Sequence, residues 1–182
     1  MHADFAVLLD ACVLVNYQVT DIFLRLAEEP RLYSPKWSNK ILEEVYNTHC
    51  SWPHWKDEGF ADSFQKVLRE HFPEALITGF EELIPLMEND HKDRHVLAAA
   101  VKGKIQVLIT FNTKDFKKEA FSKWDVTVLH PQDYLITLFQ LKPNRVIQTL
   151  DHVAHRRNES REDVLIRLGA HLPAFSSLVL GA

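Results

Sequence analysis

Cysteine is scarce in this chain of 182 residues: only Cys12 and Cys50 are present. Two thiols cannot make a disulfide framework, which excludes the stapled secreted scaffolds and suits a reducing compartment. Long apolar runs are missing as well. No stretch of about 18 uncharged apolar residues occurs, so no transmembrane helix is expected. The opening MHADFAVLLDACVLV lacks a basic region, and Asp4 and Asp10 interrupt its apolar residues. It does not read as a signal peptide, and a cytoplasmic protein is the expectation. An excess of positive charge is also absent, with 21 Lys and Arg against 25 Asp and Glu and a formal net charge of −4. Bulk charge therefore does not advertise a nucleic-acid binder, although local patches and bound metal can outweigh it. There is no internal repeat and no low-complexity segment. What remains is ordinary globular composition, 46% apolar and 25% charged, with four Trp and eleven Phe for a core. The length suits one domain with a small appendage.

Phe5–Leu9 is a short apolar run that reads as a buried parallel strand. Val15, Val19, Ile22, Phe23 and Leu26 then follow helical spacing, which predicts one helix over about 12–27. Ser34 and Pro35 break the chain. A second helix is predicted from Trp37 to His49, with Trp37, Ile41 and Val45 inward and Ser38 as its cap. SWPHWKDEG is an irregular connector, and 61–71 reads as a third helix with Phe64, Val67 and Leu68 inward. A short strand is possible at 75–78, and Pro85 argues against a regular strand after it. The clearest helix is 93–102, whose narrow face is Val96, Ala99 and Ala100 and whose end is Gly103. Strands are predicted at 105–110 and 125–129, with a short helix at 115–120 between them and a helix led by Pro131 to about Leu141. Residues 142–167 are helical in pattern and locally net positive by 2, and SSLVLGA reads as a tail or a last helical turn. Alternating strands and helices imply an α/β sandwich around a mostly parallel sheet, with ligands beyond the carboxyl ends of the strands.

Four acids fall on that map: Asp10 after the first strand, Glu44 in the second helix, Asp93 at the start of the clearest helix, and Asp115 after the strand 105–110. They are separated by 34, 49 and 22 residues, yet the topology brings them toward one sheet edge. Each has a plain alternative. Asp93 and Asp115 could cap helices, and Glu44 beside Glu43 could belong to a solvated face. Asp10 is the least ordinary, since an acid between VLL and ACVLV is partly buried and costly without a partner. A divalent cation suits several converging carboxylates, and hard oxygen donors select Mg²⁺ or Mn²⁺ over Zn²⁺. Such a site lowers the pKa of bound water and neutralises phosphoryl charge, which points to phosphodiester hydrolysis.

The motifs resemble those of the PIN domain, a fold of metal-dependent ribonucleases. VLLDACVL is similar to that family's first strand and first acid. WSNKILEEV is similar to its Glu-bearing helix, where the spacing selects Glu44 over Glu43. DHKDRHVLAAA is similar to the third-acid motif, selecting Asp93 with Asp90 as a helper, and LITFNTKDF to the last, with Asn112 and Asp115 near the metal. The resemblance covers roughly 5–140 and is strongest to VapC-type toxins with a helical C-terminal extension. It implies a three-layer α/β/α sandwich, with a nuclease domain at 1–140 and an extension at 141–182. It further implies Mg²⁺- or Mn²⁺-dependent endonucleolytic cleavage of RNA, a homodimer, no membrane association, and inhibition by a small cognate antitoxin. Under it Asp10, Glu44, Asp93 and Asp115 are catalytic and metal-binding, with Thr110, Asn112, Arg94 and Lys114 positioning substrate. Asn112 departs from the Asp common at that position, which puts a neutral oxygen in place of a charged one.

Other residues have two readings each. His95, Lys114, Lys117 and Lys118 could meet RNA phosphate or face solvent. Trp37, Trp52, Trp55 and Trp124 could stack on bases, though core packing is the stronger expectation. Cys50, His54 and His49 lack the spacing of a zinc site, and Cys12 reads as a small core residue. Arg156, Arg157 and Arg161 could hold RNA or a partner, or form a solvated helix face. Two other functions compete. A haloacid-dehalogenase-type phosphatase needs a second Asp two residues after the first, where Cys12 stands. A non-catalytic RNA-binding or scaffold protein on the same fold would tolerate loss of the acids, all four of which are present.

Overall fold

The computed structural model describes residues 5–52, 59–116 and 118–182, the side chains of 118 and 119 excepted. His54, Trp55, Lys117 and the side chain of Lys118 therefore lie outside the described residues. The strands are β1 (Ala6–Leu9), β2 (Ser34–Ser38), β3 (Leu76–Ile77), β4 (Val107–Ile109) and β5 (Thr127–Leu129). They form one sheet in the order β3-β2-β1-β4-β5, every neighbouring pair parallel. Val7, Leu8 and Leu9 are fully buried. That is why the central strand is a continuous apolar run without polar alternation. Helices flank the sheet in a three-layer α/β/α sandwich.

The predicted helix over 12–27 is two helices, α1 (Ala11–Val15) and α2 (Tyr17–Ala27). Asn16 separates them. It ends α1 and its side chain then accepts from Val19 N at 3.4 Å to cap α2. Trp37 does not begin a helix but lies in β2, where it is buried edge-on to Phe72 at 5.8 Å. Pro35 is tolerated there for a local reason. Ser34 N donates to Phe5 O on the β1 side, so the N–H that Pro35 lacks would point the other way. On that side pairing to β3 begins only at Trp37.

Ser38 caps α3 (Asn39–Ser51), its Oγ accepting from Ile41 N at 3.2 Å; Ile41 and Val45 are buried as expected, and Leu42 is buried with them. In α4 (Phe60–His71), Leu68 is buried but Val67 is 46% exposed, so Val67 is not an inward residue. The segment around Pro85 is a 3₁₀ helix, Glu81–Leu86. Helix α5 (Arg94–Lys102) is buried continuously from His95 to Ala100, wider than the narrow face its sequence suggests. The chain then passes through β4, a 3₁₀ turn at Thr113–Asp115, and α6 (Lys118–Ser122), where a helix was expected over 115–120. After β5 come α7 (Pro131–Leu141), α8 (Pro143–Arg157), α9 (Arg161–Gly169) and α10 (Pro173–Leu180). The expected tail is thus part of a full helix. Helix α8 packs on α2 and α10 packs on α7. Leu150, Leu165, Leu172 and Phe175 join the same core as the sheet residues. Among the described residues no helix is long and apolar enough to cross a membrane.

Candidate active site

The chain winds outward from β1 through β2 to β3, then returns by α5 to β4 on the other side of β1. The strand order therefore reverses between β1 and β4, which is where open parallel sheets leave a crevice at their carboxyl ends. Asp10 follows β1 and Thr110 follows β4, and Asp10 N donates to Ile109 O at 3.1 Å across that seam.

Asp10 is 4% exposed. Its Oδ1 accepts from Ala11 N at 2.7 Å, capping α1. Its Oδ2 accepts from the Thr110 hydroxyl at 2.7 Å and from the Cys12 thiol at 3.1 Å. Burial raises its pKa, the hydrogen bonds from Thr110, Cys12 and Ala11 oppose that, and the charge of Glu44 adds to the rise. Cys12 also stands 3.2 Å from Thr110 Oγ1 and accepts from Phe111 N at 3.3 Å. Burial, with the charge of Asp10, pushes the Cys12 thiol up to about 12, so it stays protonated and serves as a donor. Cys12 is thus not a plain core residue but part of the Asp10 network. Spacing along the chain could not show this, because Thr110 is 98 residues away.

Asp93 sits at the N-terminus of α5 but makes no capping hydrogen bond, which removes the capping explanation for it. Burial pushes it up to about 6, joined by the charges of Asp10, Asp115 and Asp90, with His95 opposing. Asp90 is itself occupied, accepting from Lys92 N at 3.0 Å. Asp115 ends the 3₁₀ turn and is exposed, the turn being closed by Asp115 N to Asn112 O at 3.0 Å. Asn112 N donates to Thr110 Oγ1 at 3.1 Å, so one threonine ties both the last turn and Asp10 together. Glu44 is half-buried and its Oε1 lies 2.9 Å from His95 Nε2. His95 is therefore turned inward onto Glu44 and is not available to RNA. Sequence reading missed that pairing, for which the only signal was a histidine beside an acid on an otherwise buried helix. Arg94 is half-buried and its Nε donates to Asn89 O at 3.3 Å, while Lys114 is exposed beside Asp115.

The acids influence one another in a chain: Glu44 acts on Asp10, and Asp10 and Asp115 act on Asp93. Among the described residues, Asp10, Asp93 and Asp115 have no Lys, Arg or His ion pair. Their donor atoms are hard oxygens, and hydrogen bonds at Asp10 and the nearby His95 offset only part of what burial and mutual repulsion cost, which fits a divalent cation. As they stand, no three His, Cys, Asp or Glu side chains among the described residues are gathered tightly enough to hold an ion.

Other candidates are used elsewhere. Trp52 packs on His49 at 5.5 Å, and Trp124 lies beneath Lys123 at 5.6 Å. His49 is buried among Trp52, Phe60 and Phe64 and Cys50 is exposed, so those two do not form a zinc site. Arg157 pairs with Asp21 at 2.9 Å and Arg161 with Asp151 at 2.6 Å, whereas Arg156 is exposed and has no such pair among the described residues.

Two comparisons bear on this arrangement. The chain is similar to a Mycobacterium tuberculosis (strain ATCC 25618 / H37Rv) protein named "Putative ribonuclease VapC50", 42% identical over 67 residues. That match takes in 37% of this chain, and the chain spans about 40% of the length of that curated relative. No solved structure matches. The PIN domain family matches residues 6–114, more than half of the chain and a span that holds Asp10, Glu44, Asp93 and Thr110. With those acids placed at the reversal point of a parallel sheet, the chain belongs to the PIN domain family.

Proposed function

We propose that this chain is a Mg²⁺- or Mn²⁺-dependent endoribonuclease. In this reading it is the cytoplasmic toxin of a VapC-type toxin–antitoxin pair, a homodimer inhibited by a small cognate antitoxin. The observation that carries the enzymatic part is the set of Asp10, Asp93 and Asp115, none with a Lys, Arg or His ion pair among the described residues; burial first, and then the charges of Asp10 and Asp115, push Asp93 up to about 6. RNA as substrate and the toxin role are supported by the motif resemblance, the family match and the name of the mycobacterial relative.

Asp10 is the central ligand, and Asp93 and Asp115 complete the set. A bound divalent ion supplies an acidified water and neutralises charge on the phosphoryl oxygens. Glu44, backed by His95, orients the attacking water. Thr110 and Cys12 hold Asp10 Oδ2, so the carboxylate does not rotate when the ion is absent. Asn112, Lys114 and Arg94 position the RNA phosphate. In the hydrolysis a water oxygen bonds to phosphorus, the bridging ribose oxygen leaves, and that oxygen takes up a proton.

The test is cleavage of RNA by the purified protein in Mn²⁺, Mg²⁺ and EDTA, with Asp10→Asn and Asp93→Asn alongside. Cleavage should need metal and vanish in both variants, while their circular dichroism stays as in wild type. Undiminished cutting by either variant would overturn the assignment. RNA binding without cleavage under every condition would favour a non-catalytic RNA-binding or scaffold role.

A further inference from the structure

Three rings gather past the carboxyl ends of β4 and β5, on the edge of the sheet where Asp10 follows β1 and Thr110 follows β4. Phe111 lies between Thr110 and Asn112, just past the carboxyl end of β4. His130 is the residue after β5, at the same edge of the sheet. Their ring centroids are 5.1 Å apart at 84°. The turn between α9 and α10 brings His171 to within 6.5 Å of Phe111, at 64°. Phe111 packs against the core on one side, but Phe111 and His130 are only half-buried and His171 is exposed, so the cluster reaches solvent.

The rings are held firmly. Phe111 N donates to Cys12 Sγ at 3.3 Å. His130 Nδ1 accepts from Gln132 N at 3.2 Å, capping α7 and leaving the proton on Nε2. The turn carrying His171 is pinned by the fully buried Leu172, by His171 N to Leu168 O at 2.9 Å, and by Ala174 N to Gln132 Oε1 at 2.8 Å. An exposed aromatic group on a pinned backbone loses little conformational freedom when it binds a flat ligand.

We propose that Phe111, His130 and His171 form a nucleobase-stacking subsite, taking the base of a single-stranded RNA nucleotide beside the bond cut at the acids. This rests on the RNA reading above. β4 and β5 are neighbours, so His130 begins one strand spacing, about 4.8 Å, from the end of β4, which Thr110 and Phe111 follow. A base attached to a phosphate at the acids reaches that distance. Unpaired bases stack on Phe and His faces without regard to their edges, so the subsite favours single strands and is tolerant of sequence. It also gives the segment after residue 141 a direct part in holding substrate, through His171.

The test uses the full chain in the Asp10→Asn background with Mg²⁺, which should bind RNA without cutting it. Affinity is measured for a short single-stranded RNA and for a series carrying one abasic sugar at each position. His171→Ala and Phe111→Ala should each weaken binding roughly five- to tenfold, and His171→Phe should restore it. At one position the abasic sugar should weaken the parent protein by a similar factor and the His171→Ala protein hardly at all. Full additivity at every position, or unchanged affinity in both alanine variants, would overturn the subsite while leaving the nuclease reading intact. Failure of the parent protein to bind any RNA, together with no cleavage by the wild type, would overturn both.

Discussion

Lone pairs decide how Asp10 can meet a cation. Its Oδ2 accepts from both Thr110 and Cys12, whereas Oδ1 accepts only from Ala11, so Oδ1 keeps the free position. Cys12→Ala frees a position on Oδ2 and permits two-oxygen ligation, which Ca²⁺ accepts and Mg²⁺ resists. Ca²⁺ binding should therefore rise relative to Mg²⁺ in Cys12→Ala and stay near wild type in Cys12→Ser. Competition against Mn²⁺ by electron paramagnetic resonance reads this, and an unchanged ratio would assign the restraint to Thr110 alone. Asp93 gives a pH dependence. Its carboxyl is raised from 3.8 to about 6 on folding, so between those values the folded protein holds more protons than the unfolded one. Its contribution in the metal-free protein is thus best below about pH 4 and is lost as pH rises through about 6. Thermal melts of metal-free protein should show that decline, and Asp93→Asn should flatten it. At this scale the place of Asp10 was legible because it directly follows an apolar strand, whereas Thr110 and Asn112 entered only through the family resemblance. Cys12 and His95 were not legible, because each takes its role from a partner far away in the chain.

Helix and strand periodicity located most elements but not their breaks. The helix expected over 12–27 divides at Asn16, a residue whose side chain can end one helix and cap the next, and apolar spacing runs through the division unchanged. The strand Ser34–Ser38 was hidden because SPKWS has neither alternation nor a β-branched residue. Its place in the sheet comes from β1 on one side, not from local preference. Capping signals were more dependable. Ser38 caps α3, the helix that carries Glu44. Ser38→Ala should cost about 1 kcal/mol in urea unfolding. It should also lower cleavage more than that loss of stability explains, because Glu44 sits less than two turns from the frayed end. A variant with lower stability but full activity would show that the first turn of α3 does not position Glu44.

The molecule as a whole has one apolar core that runs from the sheet into the helices after residue 141. The sequence marked a change of character from about residue 142, and the family resemblance implied a boundary between 140 and 141. Yet Leu150, Leu165, Leu172 and Phe175 are buried with residues of the sheet layer. Those contacts join residues far apart in the chain and have no local signature. Calorimetry of the full chain should therefore give a single transition. Truncation after Leu141 should abolish cooperative unfolding, since it uncovers the faces of α2 and α7. A truncated chain that still melts sharply would make the helices a separable unit. The sheet itself has a further consequence. Its outer strands are β3, with two residues, and β5, with three. Rims so short offer almost no template for a foreign strand. Proteins that associate with this one must then do so through side chains and helix surfaces, and the fold is guarded against fibrous self-stacking at both margins of its sheet.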